Sequence, residues 1–165
     1  MKKQLLQFAV VLTLMLQACN KPAQEVKLEK YNITLTTPKL DAPPEYTDLK
    51  VSETDTKLSD YDFNIGGRAR VSFAEITESI YPGDLASLKK AATASEGFVE
   101  LIEEKQLPNG VFGLIFKMKG SDQKSIIKHY AFYYKKGTRF FKIEPVFNSE
   151  LNDLDKQLAA FATIK

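Results

Sequence analysis

Between Val111 and Glu144 the chain holds three successive strand-like stretches, the first two apolar on both sides. They span Val111 to Lys119, Ser125 to Lys135 and Thr138 to Glu144, and the turns between them, Gly120-Ser121-Asp122 and Lys136-Gly137, suit tight antiparallel connections. In the first stretch Phe112, Leu114, Phe116 and Met118 share one face, while Val111 and Ile115 add apolar residues to the other. In the second, Ile126, Tyr130, Phe132 and Tyr134 oppose Ile127, Ala131 and Tyr133. A strand that is apolar on both sides has to be covered on both sides. The expectation is therefore an α+β fold: an antiparallel sheet with a helix on each face, an α/β/α sandwich.

The other elements read less strongly. Tyr31 to Thr37 has period-two apolar spacing and many β-branched residues, so it predicts a strand, after which Pro38, Pro43 and Pro44 mark a loop. Leu49-Lys50-Val51 is a short strand candidate. Tyr61, Phe63 and Ile65 alternate with polar residues up to Gly66-Gly67, and Arg68 to Ile76 alternates again. Asp84 is placed to cap a helix running to about Ser95, and Phe98 to Lys105 reads as a further strand leading into the Pro108-Asn109-Gly110 turn. At the C-terminal end Ser149 is the predicted cap of a helix whose first turn carries Glu150 and Asp153. Its stripe is Leu151, Leu154, Leu158 and Phe161.

The N-terminus reads as an address. Lys2 and Lys3 precede an apolar run from Leu5 to Leu16, which is shorter than the roughly 20 residues needed to span a hydrocarbon core. A secretory signal fits it. The segment Leu16-Gln17-Ala18-Cys19 resembles the lipobox of bacterial lipoproteins. The resemblance implies cleavage before Cys19 and acylation of its thiol, a firm anchor once two or more chains are attached. Residues 1–18 are then the signal, 19–30 the lipidated Cys and a polar tether, and 31–165 a single domain. Asn20, following the Cys, leans towards an outer-membrane anchor facing the periplasm.

Cys19 is the only cysteine, so the chain can form no internal disulfide or cysteine-based metal site. Loss of Lys2 and Lys3 with the signal would leave 21 basic residues facing the 21 acidic ones. A neutral domain has no electrostatic case for nucleic acid.

The run Leu107-Pro108-Asn109-Gly110-Val111-Phe112-Gly113-Leu114, the aromatic hairpin after it and the terminal Ala162-Thr163-Ile164-Lys165 resemble PsbP-like and DcrB-like domains. So does the Tyr31-to-Pro38 strand followed much later by the Asp84 helix. The resemblance implies an α/β/α sandwich and accessory roles beside membranes, with no single chemistry attached to the fold. The chain has no Trp where these domains usually place one after the first strand.

No catalytic set emerges. Asp60, Asp62 and Asn64 have the spacing of a calcium loop but lack its Gly and bidentate Glu, since Ile65 and Val71 stand there. They read as the polar side of a strand. His129 is the only histidine, and neither a G-x-S-x-G nor an H-E-x-x-H pattern accompanies it. Glu103 and Glu104 point to opposite faces of a strand, and Asp153 and Asp155 belong to a helix start. No cofactor, metal or enzymatic role is expected.

Two features stand out. Lys117 to Lys142 is strongly basic, against an acidic Asp41 to Asp62, which makes Lys128, Lys135, Lys136 and Arg139 a candidate binding face. Tyr130, Phe132, Tyr134 and Phe140 are the aromatic candidates for a ligand cleft. The expectation is a membrane-anchored, non-enzymatic module supporting an envelope protein partner. The alternative is a carrier of a small apolar ligand.

Overall fold

The computed structural model describes residues 23–64, 70–146 and 152–165; the expected signal over 1–18, Cys19 and the cap Ser149 lie outside the described residues. Among the described residues nine strands and two α-helices follow one another: β1 (Ala23–Leu28), β2 (Ile33–Pro38), β3 (Glu45–Asp48), β4 (Lys57–Asn64), β5 (Arg70–Ile76), α1 (Leu85–Thr93), β6 (Phe98–Gln106), β7 (Phe112–Lys119), β8 (Ile126–Lys136), β9 (Arg139–Val146) and α2 (Asn152–Phe161). Seven strands form one antiparallel sheet in the order β3-β4-β5-β9-β8-β7-β6, and β1-β2 form a separate hairpin.

This corrects the expected α/β/α sandwich. The molecule is mostly β, with two short helices. One face of the large sheet packs against the β1-β2 hairpin together with the C-terminal end of α2, through Val26, Leu28, Tyr31, Ile33, Leu35, Leu158 and Phe161. The other face is covered by α1 and Tyr81, through Leu88 and Ala92 against Phe112, Leu114 and Phe116. Both faces are covered, as expected, but on one of them the β1-β2 hairpin joins α2 where a helix alone was expected.

The region read as a tether also contains β1. Its sequence Ala-Gln-Glu-Val-Lys-Leu buries only Val26 and Leu28, which pair with Leu35 and Ile33 of β2. Two buried side chains in so short a segment give little periodicity, yet they suffice once β2 offers a partner. Leu49-Lys50-Val51 lies outside any strand, and the edge strand forms instead at Glu45–Asp48. The helix expected after Asp84 forms, with the Asp84 carboxylate accepting from the Ser87 N–H at 2.7 Å.

Register fixes which residues share a face. Tyr46, Tyr61, Phe73, Ile143, Phe132, Gly113 and Lys105 form one row across all seven strands, on the side facing the hairpin. At Gly113 the Phe132 ring occupies the place a Cβ would take, beside the Ala131 carbonyl, so the row closes only with glycine there.

The sheet has two distinct ends. At one, β8 turns into β9 at Gly137, and the β1-β2 turn rests on it because Arg139 and Lys136 donate to the carbonyls of Lys30 and Asn32. At the other, β7 turns into β8 between Gly120 and Ser125, and the Asn64–Arg70 pair closes β4 against β5. β2 runs from the first end towards the second. Its continuation, Ala42 and Pro43, lines a cleft with Asp62, Asn64 and Arg70. Ala23, paired with Pro38, therefore enters the fold from the Gly120 end.

The C-terminal segment completes the hairpin layer. Lys165 exchanges backbone hydrogen bonds with Thr34, at 3.0 and 3.4 Å, and Thr163 Oγ1 accepts from the Thr36 N–H. Asn109, in the β6-β7 turn, donates to the carbonyls of Phe161 and Ile164 and so caps the end of α2.

Candidate functional site

The four basic residues proposed as a face do not form one. The two-residue connection at Gly137-Thr138 pairs Lys136 with Arg139, Lys135 with Phe140 and Tyr134 with Phe141. Lys135 thus points to the opposite side from Lys136 and Arg139, and its ammonium stands 5.0 Å from the Phe140 ring. Lys136 donates to the carbonyls of Asn32 and Lys165. Lys128 lies near the other end of β8, 5.5 Å over Tyr130.

Arg139 is the most committed of the four. Its guanidinium makes a bidentate pair with Glu75, at 2.7 and 2.6 Å, and donates to the Lys30 carbonyl at 2.9 Å. It also lies over the rings of Tyr31 and Phe141, 5.2 and 5.5 Å from their centroids. The hydrogen bonds to Glu75 raise its pKa further above an already high value. This cation binds the β1-β2 turn to the sheet.

Beside it Tyr31 is buried, sharing a 3.0 Å hydrogen bond with Ser59 and accepting from the Glu75 N–H. Burial pushes its phenol well above the ordinary 10.0, outweighing those two hydrogen bonds. The sign follows from linkage. A phenol whose folded pKa stands above the unfolded value contributes stability that is complete below pH 10.0 and is lost as pH climbs towards the folded value. Denaturant midpoints measured at increasing alkalinity should fall from about pH 10 upward. Tyr31→Phe should flatten that fall, at a cost near neutrality of about 1 kcal/mol for the lost hydrogen bonds. An alkaline limb identical in the two proteins would show that Tyr31 titrates normally.

The aromatic candidates divide between the two cores. Phe132 and Tyr134 are buried under the β1-β2 hairpin and α2, with Tyr130 packed against that cluster, whereas Phe140 belongs to the cluster beneath α1 and Tyr81. Phe140 meets Tyr81 in a tilted contact at 4.8 Å between centroids, and Phe132 meets Phe161 at 6.0 Å. Three of them thus pack in one core and Phe140 in the other, on opposite faces of the sheet, so the four do not line one cleft. Two clefts lie elsewhere, at the Gly120 end. One of about 380 Å³ runs between Gln24–Lys27 of β1 and the 40–44 loop; the other, about 240 Å³, is bounded by Ala42, Pro43, Glu45, Asp62, Phe63, Asn64 and Arg70.

The acidic triplet is satisfied within the fold. Asp60 is buried and accepts from Ser72 Oγ at 2.7 and 2.9 Å and from Lys57 Nζ at 2.7 Å. Asp62 holds Arg70 in a two-pronged pair, at 2.6 and 3.1 Å. His129 is exposed and stacks on Phe116 at 5.7 Å. Glu103 and Glu104 pair separately with Lys105 and Lys89, on opposite sides of the sheet. Asp153 and Asp155 fall in and beside the first turns of α2, where only the backbone is described. Among the described residues no three His, Cys, Asp or Glu side chains approach as metal ligands would.

Gln157 escaped the sequence reading altogether. It is fully buried on α2, and neither its amide nitrogen nor its oxygen has a partner among the described residues. An unsatisfied buried amide is costly. Gln157→Met keeps the length and removes the polar atoms, so it should stabilise the domain by about 1–2 kcal/mol in urea unfolding. A loss of stability would mean that the amide is solvated or bonded in solution. The signal was present: Gln157 stands beside Leu158 and four residues before Phe161, on the stripe that packs inward.

No helix among the described residues is long and apolar enough to cross a membrane. No family model matches the chain, and no curated protein matches it.

Proposed function

We propose that this protein is a lipid-anchored lipoprotein of the cell envelope whose domain serves as a non-enzymatic accessory module for another envelope component. The observation that carries the reading is Leu16-Gln17-Ala18-Cys19 closing a short apolar run behind Lys2 and Lys3. Asn20 favours the outer membrane, facing the periplasm. The accessory role agrees with the PsbP-like and DcrB-like resemblance. It also fits a domain whose buried acids and whose Arg139 are taken up by structural pairs.

Acylation makes a direct prediction. Intact-mass analysis of the purified protein should find a chain beginning at Cys19 with diacylglycerol on its thiol. Cys19→Ala should leave the signal uncleaved and the lipid absent. Normal processing of Cys19→Ala would defeat the anchor.

A further inference from the structure

The Gly120 end of the sheet carries an unusual combination. Ile126 and Ile127, where β8 begins, are 61% and 46% exposed on opposite sides of the hairpin, and Val99, in the neighbouring β6, is 40% exposed. None of the three belongs to either core cluster. Around them stand Lys119, Lys124 and Lys128, none of which pairs with a carboxylate among the described residues. Lys117 is nearby and is held by Glu100 at 2.5 Å. The one acid inside the turn, Asp122, faces its own backbone. It accepts from the N–H groups of Lys124 and Ser125 and from Ser125 Oγ, which braces the turn.

We infer that this β7-β8 tip, with the adjoining end of β6, seats on an anionic lipid surface. Lysines around aliphatic side chains match the two layers of such a surface, since the ammoniums meet headgroups while Ile126, Ile127 and Val99 enter the boundary with the acyl chains. Each lysine brought to an anionic surface strengthens association about fivefold. Chain direction gives an independent reason. Ala23 enters the fold at the same end, and the four-residue step from Cys19 spans at most about 14 Å. Four strand spacings, about 19 Å, separate β4 from β7 across the sheet. An anchor at Cys19 and the β7-β8 tip can therefore reach one bilayer together. The acidic corner at this end, Asp41 and Glu45, lies on the β3 side, so the domain would lean with its β6-β8 corner towards the lipid. The orientation rests on the proposed anchor; the affinity of the tip for anionic lipid does not.

The chain contains no Trp, so a single introduced indole reports on one place. The experiment uses the full protein purified from membranes, with Ile126→Trp, reconstituted in vesicles of phosphatidylglycerol or of phosphatidylcholine. The reference is Val51→Trp, at a position 93% exposed beyond β3 at the Gly137 end. Trp at 126 should shift to the blue and be quenched by brominated acyl chains in the anionic vesicles, and Trp at 51 should not respond. Adding Lys119→Glu, Lys124→Glu and Lys128→Glu should abolish the response at 126. In the unsubstituted protein, anionic vesicles should slow hydrogen exchange over residues 119–128. Water-like emission at 126 in anionic vesicles would overturn the inference. So would a shift that appears only with a soluble envelope extract, which would make the occupant a protein. Flotation separates the two claims: protein that floats while position 126 stays wet keeps the anchor and loses the tip. Protein that lacks the acyl group yet responds at 126 loses the anchor and keeps the tip.

Discussion

Phe161→Ala should lower the unfolding free energy by about 3–5 kcal/mol, the usual cost of emptying a fully buried phenylalanine site. Phe161 is 0% exposed and touches Phe132 in the central row of the sheet. Its carbonyl is also the acceptor that Asn109 uses to cap α2. The cavity would therefore open at the junction of helix, hairpin and sheet, where collapse has to move three elements. A urea titration followed by far-ultraviolet circular dichroism would measure it, as a fall in midpoint at unchanged slope. A loss under 1 kcal/mol would mean that α2 is not docked as described.

Arg139→Glu should be nearly as damaging, costing about 3–5 kcal/mol because it sets two carboxylates together at a partly buried site. Glu75 is only 18% exposed and would lose both hydrogen bonds, and the Lys30 carbonyl would lose its donor. The stacking over Tyr31 and Phe141 would go as well. Lys124→Glu, on an exposed turn, should by comparison change stability by less than about 0.5 kcal/mol. Equal stabilities for the two variants would remove the structural role assigned to Arg139. The contrast bears on any charge-reversal study. Reversing Lys128, Lys135, Lys136 and Arg139 together would confuse unfolding with lost binding, whereas Lys119, Lys124 and Lys128 can be reversed without touching the turn that Arg139 holds.

The legible parts of the fold were those where side-chain alternation and turn chemistry agree. Strands β7, β8 and β9 came out within two residues of their expected bounds, and Asp84 capped its helix as expected. β1 was missed because two buried residues among four that are exposed or half-buried leave hardly any pattern. The sandwich was misjudged because alternation shows that a face is covered and says nothing of what covers it. The basic face and the aromatic cleft failed for a different reason. Both were drawn along the chain, where Lys135 and Lys136 are neighbours, yet strand parity sends them to opposite sides. That parity was already implied by the turn at Gly137, so this error was avoidable. Gln157 was legible in part: its spacing places it inward, but only the packed structure shows an amide with no partner among the described residues.

The backbone bonds between Thr34 and Lys165 join residues 131 positions apart. A contact of that span forms late, since the loop between its ends has to be closed first. The β1-β2 hairpin has little to pack on before then, because its apolar side chains meet β4, β5, β8, β9 and α2. Synthesis therefore delivers most of this chain before its hairpin layer can settle. If the chain is exported and anchored as proposed, a polypeptide that stays unfolded until residues 152–165 emerge would suit threading outward, and its hairpin layer would settle only on the far side.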